Sequence, residues 1–441
     1  MRSVVILIRF DDVPESSWVS YQLPTFRQDP LAMAQRAFEL MERRLENPGL
    51  PAGCERVISA ARDPPELQTL TLPRLFAGAI LWQEGLTRDP GGRSTQMKGI
   101  RQLAEHLDIS IGTVSRALNG KPDVNDETRR RVLAAAEELG YVANQSGRSL
   151  RQGTTNVIGL MLEVSRETVE NSDDFFLGVT DGLQRVFSRH KLDLVMLPCP
   201  DDEDPHEYLK RMVARRLVDA LIISATRRTD RRIELLEKAR IPFVALGRSA
   251  SGGSYTWMDL DFEGVATRGV DRLVAKGHRR IAVAVPSSDI NLGYLFLDAY
   301  RQALQRHGIP FDPALVIRVK SSEQGGYQAG HELLMIGERP TAIILIHELM
   351  AIGLYRRLAE AGVVPGRDLA VVGFREEPRT LFLQPTLTSF RMSLRDLGAQ
   401  LGETLLATMP AYADHYPQGA RNRIWPLELV PGESDAFMLT T

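Results

Sequence analysis

Residues 100–120, IRQLAEHLDISIGTVSRALNG, contain two short amphipathic patterns separated by a turn. Apolar residues recur at helical spacing in both patterns, so each helix would bury one face; they are Leu103, Ala104 and Leu107, then Val114 and Leu118. Between the patterns, Asp108 and Ile109 form the turn, and the hydroxyl group of Ser110 can cap the second helix. The stretch therefore predicts two helices joined by a tight turn.

A third helix is predicted from Asp126 to Leu139. It begins with a capping residue and packs an apolar face on the first two helices through Val132, Leu133, Ala136 and Leu139. Two short helices joined in this way form a helix-turn-helix, which places its second helix in the major groove of DNA. That helix exposes small polar residues and an arginine, namely Thr113, Ser115, Arg116 and Asn119. From spacing alone, a three-helix bundle with a solvated polar face is an equal alternative.

The longer stretch 100–160 continues as KPDVNDETRRRVLAAAEELGYVANQSGRSLRQGTTNVIGL and resembles the DNA-binding head and hinge of the lac repressor (LacI/GalR) family. The resemblance implies three base-reading positions, Ile111, Gly112 and Arg116. It implies that phosphates or the groove wall are contacted by Ser110, Thr113, Ser115 and Asn119. Because Gly112 has no side chain, we expect sequence choice to depend on Ile111 and on Arg116, whose donors match a guanine edge.

After Tyr141, the segment VANQSGRSLRQG resembles the family's hinge, which folds into a helix on operator DNA. The resemblance implies that Leu150 enters the minor groove as an apolar wedge and that Asn144 is the hinge asparagine. Ala143 replaces the usual proline and Gly147 the usual alanine, and glycine inside a helix costs about 0.5–1 kcal/mol. We therefore expect a hinge that folds less readily; the alternative is a solvated linker.

Beyond residue 155, short apolar runs alternate with amphipathic helices, which predicts an α/β fold of parallel sheets flanked by helices. Eight strands in two groups indicate two lobes; they are 157–162, 192–197, 220–223, 243–246, 281–285, 315–319, 342–346 and 369–374. Pieces such as RRLVDALIIS and LAVVGF resemble the family's periplasmic-binding-protein-like core, so the resemblance extends from Met97 to about Leu406. It implies an effector in the crevice between the lobes.

The resemblance also implies a set of effector-binding residues in that crevice, which are Phe175, Phe176, Arg248, Phe296, His347 and Glu348. Phe296 stands where the family often has a ligand-clamping arginine, and Arg375 departs from the usual aspartate, so we expect an altered or differently oriented ligand. Two alternatives remain open. The phenylalanines can be ordinary core residues, and Glu348 can be an acidic residue favoured in the first turn of a helix.

The N-terminal end of the chain resembles part of its own C-terminal region. Residues 4–35 align without gaps with residues 368–399 at an offset of 364, so that Phe10 meets Phe374 and Phe26 meets Phe390. Internal similarity of this kind indicates duplication, here of one end of a core. The hypothesis is that residues 1 to about 90 are the remnant of a second, related regulator; the competing hypothesis is a regulatory extension that docks on the core.

Composition limits the other classes of function. The chain has 441 residues, more than one ordinary core holds, and a formal net charge of -2, so any contact with DNA must be local. The chain has two cysteines, Cys54 and Cys199, which are too few for a disulfide framework. This fits a cytoplasmic location, and we expect no membrane partner. The sequence shows no phosphate-binding loop, nucleophile elbow or metal-ligand spacing, so we expect no enzymatic activity and no cofactor.

Together these patterns predict four regions: an N-terminal extension with a linker (1–96), a helix-turn-helix head (97–142), a hinge (143–155) and a two-lobed effector-binding and dimerisation core (156–441). They predict a transcription regulator, most simply a repressor, that binds double-stranded operator DNA as a homodimer under the control of a sugar-like effector. The alternative is a sugar-binding protein that shares the core but has no DNA-binding role.

Overall fold

The computed structural model describes residues 9–10, 25–26, 39, 100–118, 121–139, 141, 154–164, 174–416 and 421–436. The chain divides into two units, Met1–Gln96 and Met97–Thr441. In the first unit, two short strands, β1 (Arg9–Phe10) and β2 (Thr25–Phe26), lie parallel. Arg9 pairs with Thr25 and Phe10 with Phe26.

Three helices form the head: α1 (Ile100–Leu107), α2 (Ile111–Leu118) and α3 (Asp126–Glu138). The three helices pack around one shared core. One residue of each helix is fully buried in it, namely Leu103, Val114 and Val132. The predicted cap of α2 is confirmed, because Ser110 Oγ accepts a hydrogen bond from the backbone N–H of Thr113 at 3.1 Å. In α3 the capping side chain is that of Asn125, which precedes the helix.

One predicted core residue of the head is wrong. Leu133 is 48% exposed, whereas Ala135, which the sequence analysis omitted, is buried together with Val132 and Ala136. In a helix each residue is turned about 100° from the one before it, so 132, 135 and 136 share a face that 133 does not. The predicted burial of Leu133, which rested on its apolar character alone, was therefore wrong.

Two six-stranded sheets form the predicted lobes of the α/β core, and the predicted fold class is confirmed. The strands are β3 (Val157–Val164), β4 (Asp193–Pro200), β5 (Ala220–Ile223), β6 (Phe243–Leu246), β7 (Thr256–Leu260), β8 (Ile281–Pro286), β9 (Val316–Val319), β10 (Ala342–Leu345), β11 (Ala370–Arg375), β12 (Thr388–Arg391), β13 (Arg423–Trp425) and β14 (Glu428–Val430). The strand order of the first lobe is β13-β7-β6-β5-β3-β4, and that of the second is β14-β12-β11-β10-β8-β9. All pairs are parallel except β12 with β14.

Helices cover the faces of both sheets, which buries the apolar strands between two helical layers. They are α4 (Asp174–Arg189), α5 (Pro205–Ala214), α6 (Arg231–Ala239), α7 (Phe262–Ala275), α8 (Asn291–Arg306), α9 (Glu323–Met335), α10 (Met350–Glu360) and α11 (Leu394–Thr408). The chain crosses between the lobes three times, after β7, after β12 and between β13 and β14. Because β13 belongs to the first sheet, the two lobes are interleaved in sequence.

Glycine permits the close packing of α4 against α11, the helix that returns the chain to the first lobe. A Cβ atom on Gly182 would lie 2.1 Å from the carbonyl oxygen of Arg395, and one on Gly398 would lie 2.0 Å from that of Val179. The two backbones therefore touch at a point where any other residue would force them apart. This contact fixes the position of α11 in the first lobe.

Among the described residues, none of the helices is long and apolar enough to cross a membrane. The same part of the chain shows no group of three or more side chains that could hold a metal ion.

Candidate DNA-binding face and effector cavity

The exposed side of α2 brings together most of the residues that the sequence assigned to DNA. Ile111 is 40% exposed, and Ser110, Gly112 and Arg116 are also exposed, while Thr113 and Ser115 are half-buried. Ser110 and Thr113 share a hydrogen bond of 2.9 Å between their hydroxyl groups. Asn119, Asn144 and Leu150 lie outside the described residues, so their assignment stays a prediction.

The arginines of the head differ in how firmly they are held. Arg129 of α3 donates hydrogen bonds to the carbonyl oxygens of Lys121 (2.7 Å) and Val124 (3.2 Å) and to Asp126 Oδ1 (3.1 Å). It therefore ties the α2–α3 connection to α3. Arg116 instead makes an exposed ion pair with Asp123, with 3.2 Å between Nε and Oδ2. Exposed pairs of this kind are weak, so Arg116 is held less firmly than Arg129.

A cavity of about 280 Å³ lies between the two lobes of the core, beyond the carboxyl ends of their strands. This volume is close to the lower limit of about 300 Å³ for small-molecule sites. Five of the six predicted effector residues line it: Phe175, Phe176, Arg248, His347 and Glu348. Phe296 does not line it, because this side chain is fully buried in the hydrophobic core.

On the first-lobe side, Arg248 follows β6 and is held by two carboxylates. Its Nε lies 2.8 Å from Asp259 Oδ2, and its Nη2 lies 2.6 Å from Glu263 Oε2. The guanidinium also lies 5.3 Å from the centre of the Trp257 ring. Burial raises the pKa of Asp259 to about 6, although the neighbouring Arg248 opposes this shift. Arg248 is thus oriented before any ligand arrives.

On the second-lobe side, Glu348 and Arg375 form a buried ion pair. Burial by itself would raise the pKa of Glu348, but the charges of His347 and Arg375 outweigh it, and the pKa lies below its ordinary value. Arg375 also donates to the carbonyl oxygen of Glu376, while its Nε has no hydrogen-bond partner among the described residues. In the sequence, Arg375 stands out only as a departure from the family pattern, but its position directly at the end of β11 is the signal that it lines the site.

Contacts between the lobes close this cavity. At the crossover after β7, Phe262 stacks on Phe374 of β11, with ring centres 5.1 Å apart and an interplanar angle of 6°. The Arg375 guanidinium lies 5.6 Å from the centre of the Phe175 ring. Asn291 Nδ2 of the second lobe donates to the carbonyl oxygen of Arg248 at 2.7 Å. The cavity therefore has an aromatic wall, a charged cluster around Arg248 on the first-lobe side and the Glu348–Arg375 pair on the second-lobe side.

Two family models match this architecture. Residues 99–144 match the bacterial regulatory proteins of the lacI family, and residues 270–434 match the periplasmic binding protein-like domain. The HTH-type transcriptional regulator AglR of Rhizobium meliloti is 33% identical over 75% of this chain and 92% of its own length. The chain belongs to the lacI family of bacterial regulatory proteins.

Other relatives agree with this membership of the lacI family. The HTH-type transcriptional regulator RafR of Escherichia coli is 33% identical over 69% of this chain and 90% of its own length. The fold is that of the lac repressor dimer bound to operator and an anti-inducer (TM-score 0.65, 24% identity, 76% of this chain and 98% of that one). It is also that of the regulator CelR in complex with cellobiose (TM-score 0.57, 24% identity, 77% and 100%).

The relatives are transcription regulators rather than enzymes, and this lacI-family chain is likewise a sequence-specific DNA-binding transcription regulator. This conclusion agrees with the head at residues 100–139 and with the two-lobed core. It favours the predicted regulator over the alternative of a sugar-binding protein without a DNA-binding role.

Proposed function

We propose that this regulator is a repressor that binds its operator as a homodimer, and that a neutral, sugar-like molecule in the cavity between the lobes controls its affinity for DNA. The observation that carries the proposal is the chemistry of the cavity: its charged side chains are already paired with one another, and phenylalanine rings lie beside them.

The pairing of charges favours a neutral ligand. Arg248 already faces two carboxylates, Asp259 and Glu263, and Arg375 is paired with Glu348, so neither arginine is left to compensate an anionic ligand in this buried space. Hydroxyl groups both donate and accept hydrogen bonds, so a polyhydroxylated molecule can bind an arginine and a carboxylate at once without adding charge.

The aromatic residues fit the same class of ligand. Phe175 and Phe176 meet edge to face, with ring centres 5.2 Å apart, at the start of α4. A sugar ring has an apolar C–H face, which such rings can cover while its hydroxyl groups meet the charged residues. The complexes of CelR with cellobiose and of an Enterococcus faecium regulator with ribose, both of this fold, support a carbohydrate ligand.

The surface of the core supports a homodimer. Leu381 is 62% exposed and Phe382 is 87% exposed, both in a short helical turn that follows β11. On the first lobe, the edge strand β4 exposes Val195 and Met196. Exposed apolar groups of this kind mark association surfaces, and a two-fold dimer would present two reading heads to a palindromic operator.

The experiment is selection of binding sites from random duplexes by the full chain, with and without cellobiose, ribose and the phosphate esters of both sugars, followed by calorimetry. We expect a palindromic site whose affinity falls when a neutral sugar binds. Glu348→Gln should weaken sugar binding, whereas Glu234→Gln, which alters an exposed pair with Lys238, should not. Tighter binding of the phosphate esters contradicts the neutral ligand, and the absence of any preference among duplexes contradicts the regulator.

We also infer that residues 1 to about 90, within the first unit, are the remnant of a second regulator of the same kind. Support comes from the pairing of its strands. Phe10 and Phe26 are paired in a parallel arrangement, and the aligned Phe374 and Phe390 belong to β11 and β12, which also lie parallel.

The spacing of the paired residues agrees as well. Arg9 pairs with Thr25, and Val372 pairs with Thr388, so partners are sixteen positions apart in both units. In the second unit, a bulge between Val372 and Arg375 then changes the register, so that Arg375 pairs with Phe390. Limited proteolysis tests the inference. Trimming to about Met97 with operator binding retained supports a remnant, whereas protection of residues 4–44 supports a docked regulatory extension.

A further inference from the structure

Arg116 lies one helical turn after Gly112 on the exposed side of α2. A Cβ atom on Gly112 would lie 3.5 Å from Arg116 Nη1 and 3.9 Å from its Cζ. The guanidinium group therefore lies back along the helix, in the direction that helical side chains favour, and covers residue 112. Arg116 thus occupies the space above the reading position that has no side chain of its own.

Asp123, in the connection between α2 and α3, contacts the same guanidinium at a different nitrogen. Its Oδ2 lies 3.2 Å from Arg116 Nε, and the two side chains are 58% and 49% exposed. Among the described residues, nothing accepts a hydrogen bond from Nη1 or Nη2. The carboxylate therefore fixes the inner nitrogen of the arginine and leaves the terminal pair available to a ligand.

We infer that Asp123 is a positioning residue for sequence reading: it holds Arg116 across Gly112 with the two terminal nitrogens available for a guanine, and it discourages the same arginine from pairing with phosphates. This inference rests on the DNA-binding role of the head. It assigns to Asp123 a part in specificity although Asp123 itself is an acidic residue near a polyanion.

The physical reason is that the Arg116–Asp123 ion pair is kept in the complex with the preferred site and broken in a non-specific complex. Guanine N7 and O6 form a fixed pair of acceptors that two nitrogens of an arginine can contact together, so the pair with Asp123 survives in the specific complex. An arginine that turns to a phosphate must leave Asp123, and the carboxylate is then unpaired in the negative field of the duplex. Asp123 therefore weakens non-specific binding more than specific binding.

The experiment compares Asp123→Asn with the unaltered full chain on two duplexes: the preferred site from random selection and an unrelated duplex of equal length. We expect Asp123→Asn to bind the unrelated duplex about threefold to fivefold more tightly, as expected for loss of an exposed pair, with a smaller change on the preferred site. The ratio of the two affinities should fall, and so should the preference for guanine at the contacted position.

Two controls separate charge from position. Glu138→Gln removes one negative charge from the exposed end of α3 and should change both affinities alike, leaving the ratio unchanged. Asp123→Glu keeps the carboxylate and should retain most of the ratio. Circular dichroism of each variant verifies that the head is folded.

A double-mutant cycle with Arg116→Lys gives the decisive result. If Asp123 acts through the arginine fork, Asp123→Asn has no further effect on the ratio once Arg116 is lysine. An unchanged ratio in Asp123→Asn, or an equal fall in both backgrounds, overturns the inference. A different failure, in which the unaltered chain prefers no duplex at all, refutes the DNA-binding role on which the inference rests.

Discussion

Arg375→Met would remove one member of the buried ion pair in the second lobe and leave Glu348 without its closest charged partner. The side chains of Arg375 and Glu348 are 6% and 4% exposed, so bulk water solvates Glu348 poorly once the arginine is lost. Removal of one partner from such a pair costs about 3–5 kcal/mol. For a large domain 1 kcal/mol corresponds to about 2–4 °C, so a loss of about 3 kcal/mol should lower the Tm of the core by about 6–12 °C.

The assay is thermal unfolding of the full chain, measured by calorimetry. The double variant Arg375→Met with Glu348→Leu contains no unpaired charge and should recover most of the loss, because an apolar pair of similar volume is often as stable. Lys238→Met serves as the control. It breaks an exposed pair with Glu234, whose side chains are 74% and 64% exposed, and should cost less than about 0.5 kcal/mol.

The pH dependence of the loss adds a second readout. With Arg375 present, the pKa of Glu348 lies below its ordinary value, so this group stabilises the fold above its unfolded pKa. Without Arg375, one of the charges that oppose the effect of burial is lost and the pKa of Glu348 should rise, so the loss in the variant should grow as the pH rises. A single variant no less stable than the double variant, or no less stable than Lys238→Met, would refute the reasoning.

Three further predictions concern other parts of the molecule. Burial raises the pKa of Asp259 to about 6 from 3.8, so the folded state holds a proton that the unfolded state releases; stability should fall as pH rises between these values, and Asp259→Asn should flatten that part of the profile of Tm against pH. Gly112→Ala should stabilise α2 by about 0.5–1 kcal/mol in thermal unfolding, because the new Cβ meets no atom closer than 3.5 Å, and an unchanged or lower Tm would contradict this. Phe382→Glu should shift the chain to a monomer in sedimentation experiments and weaken binding to a palindromic site more than to a half-site, whereas an unchanged dimer would exclude this surface.

Local patterns predicted much of the architecture. The three helices of the head and the eight apolar strands of the core all exist, since periodicity and apolar runs report directly on which residues must be buried. The strands that the sequence analysis missed are β7, β12, β13 and β14. They are short and partly polar, and pairing with neighbours that are distant in sequence stabilises them, so their own residues carry little signal.

The candidate site was predicted less completely than the fold. Residues that follow predicted strands, such as Arg248 and Glu348, line the cavity because the carboxyl ends of parallel strands meet at one edge. Phe296 was assigned by alignment with a family position, but it lies on a face of α8 that packs into the core. Asp259 was missed because a single acidic residue within an apolar strand shows its role only when Arg248 from the neighbouring segment is seen beside it.

The sequence by itself determined the order of the helical head and the two-lobed core, the second helix of the head with its glycine at position 112, and the similarity of residues 4–35 to residues 368–399, because each is a property of neighbouring residues. The tertiary structure alone decided which charges meet. The pairs Arg375–Glu348 and Arg116–Asp123, and the contact of Arg375 with Phe175 across the cleft, join residues from different elements. The electrostatic character of the cavity and the surroundings of Arg116 depend on these distances, which only the folded chain sets.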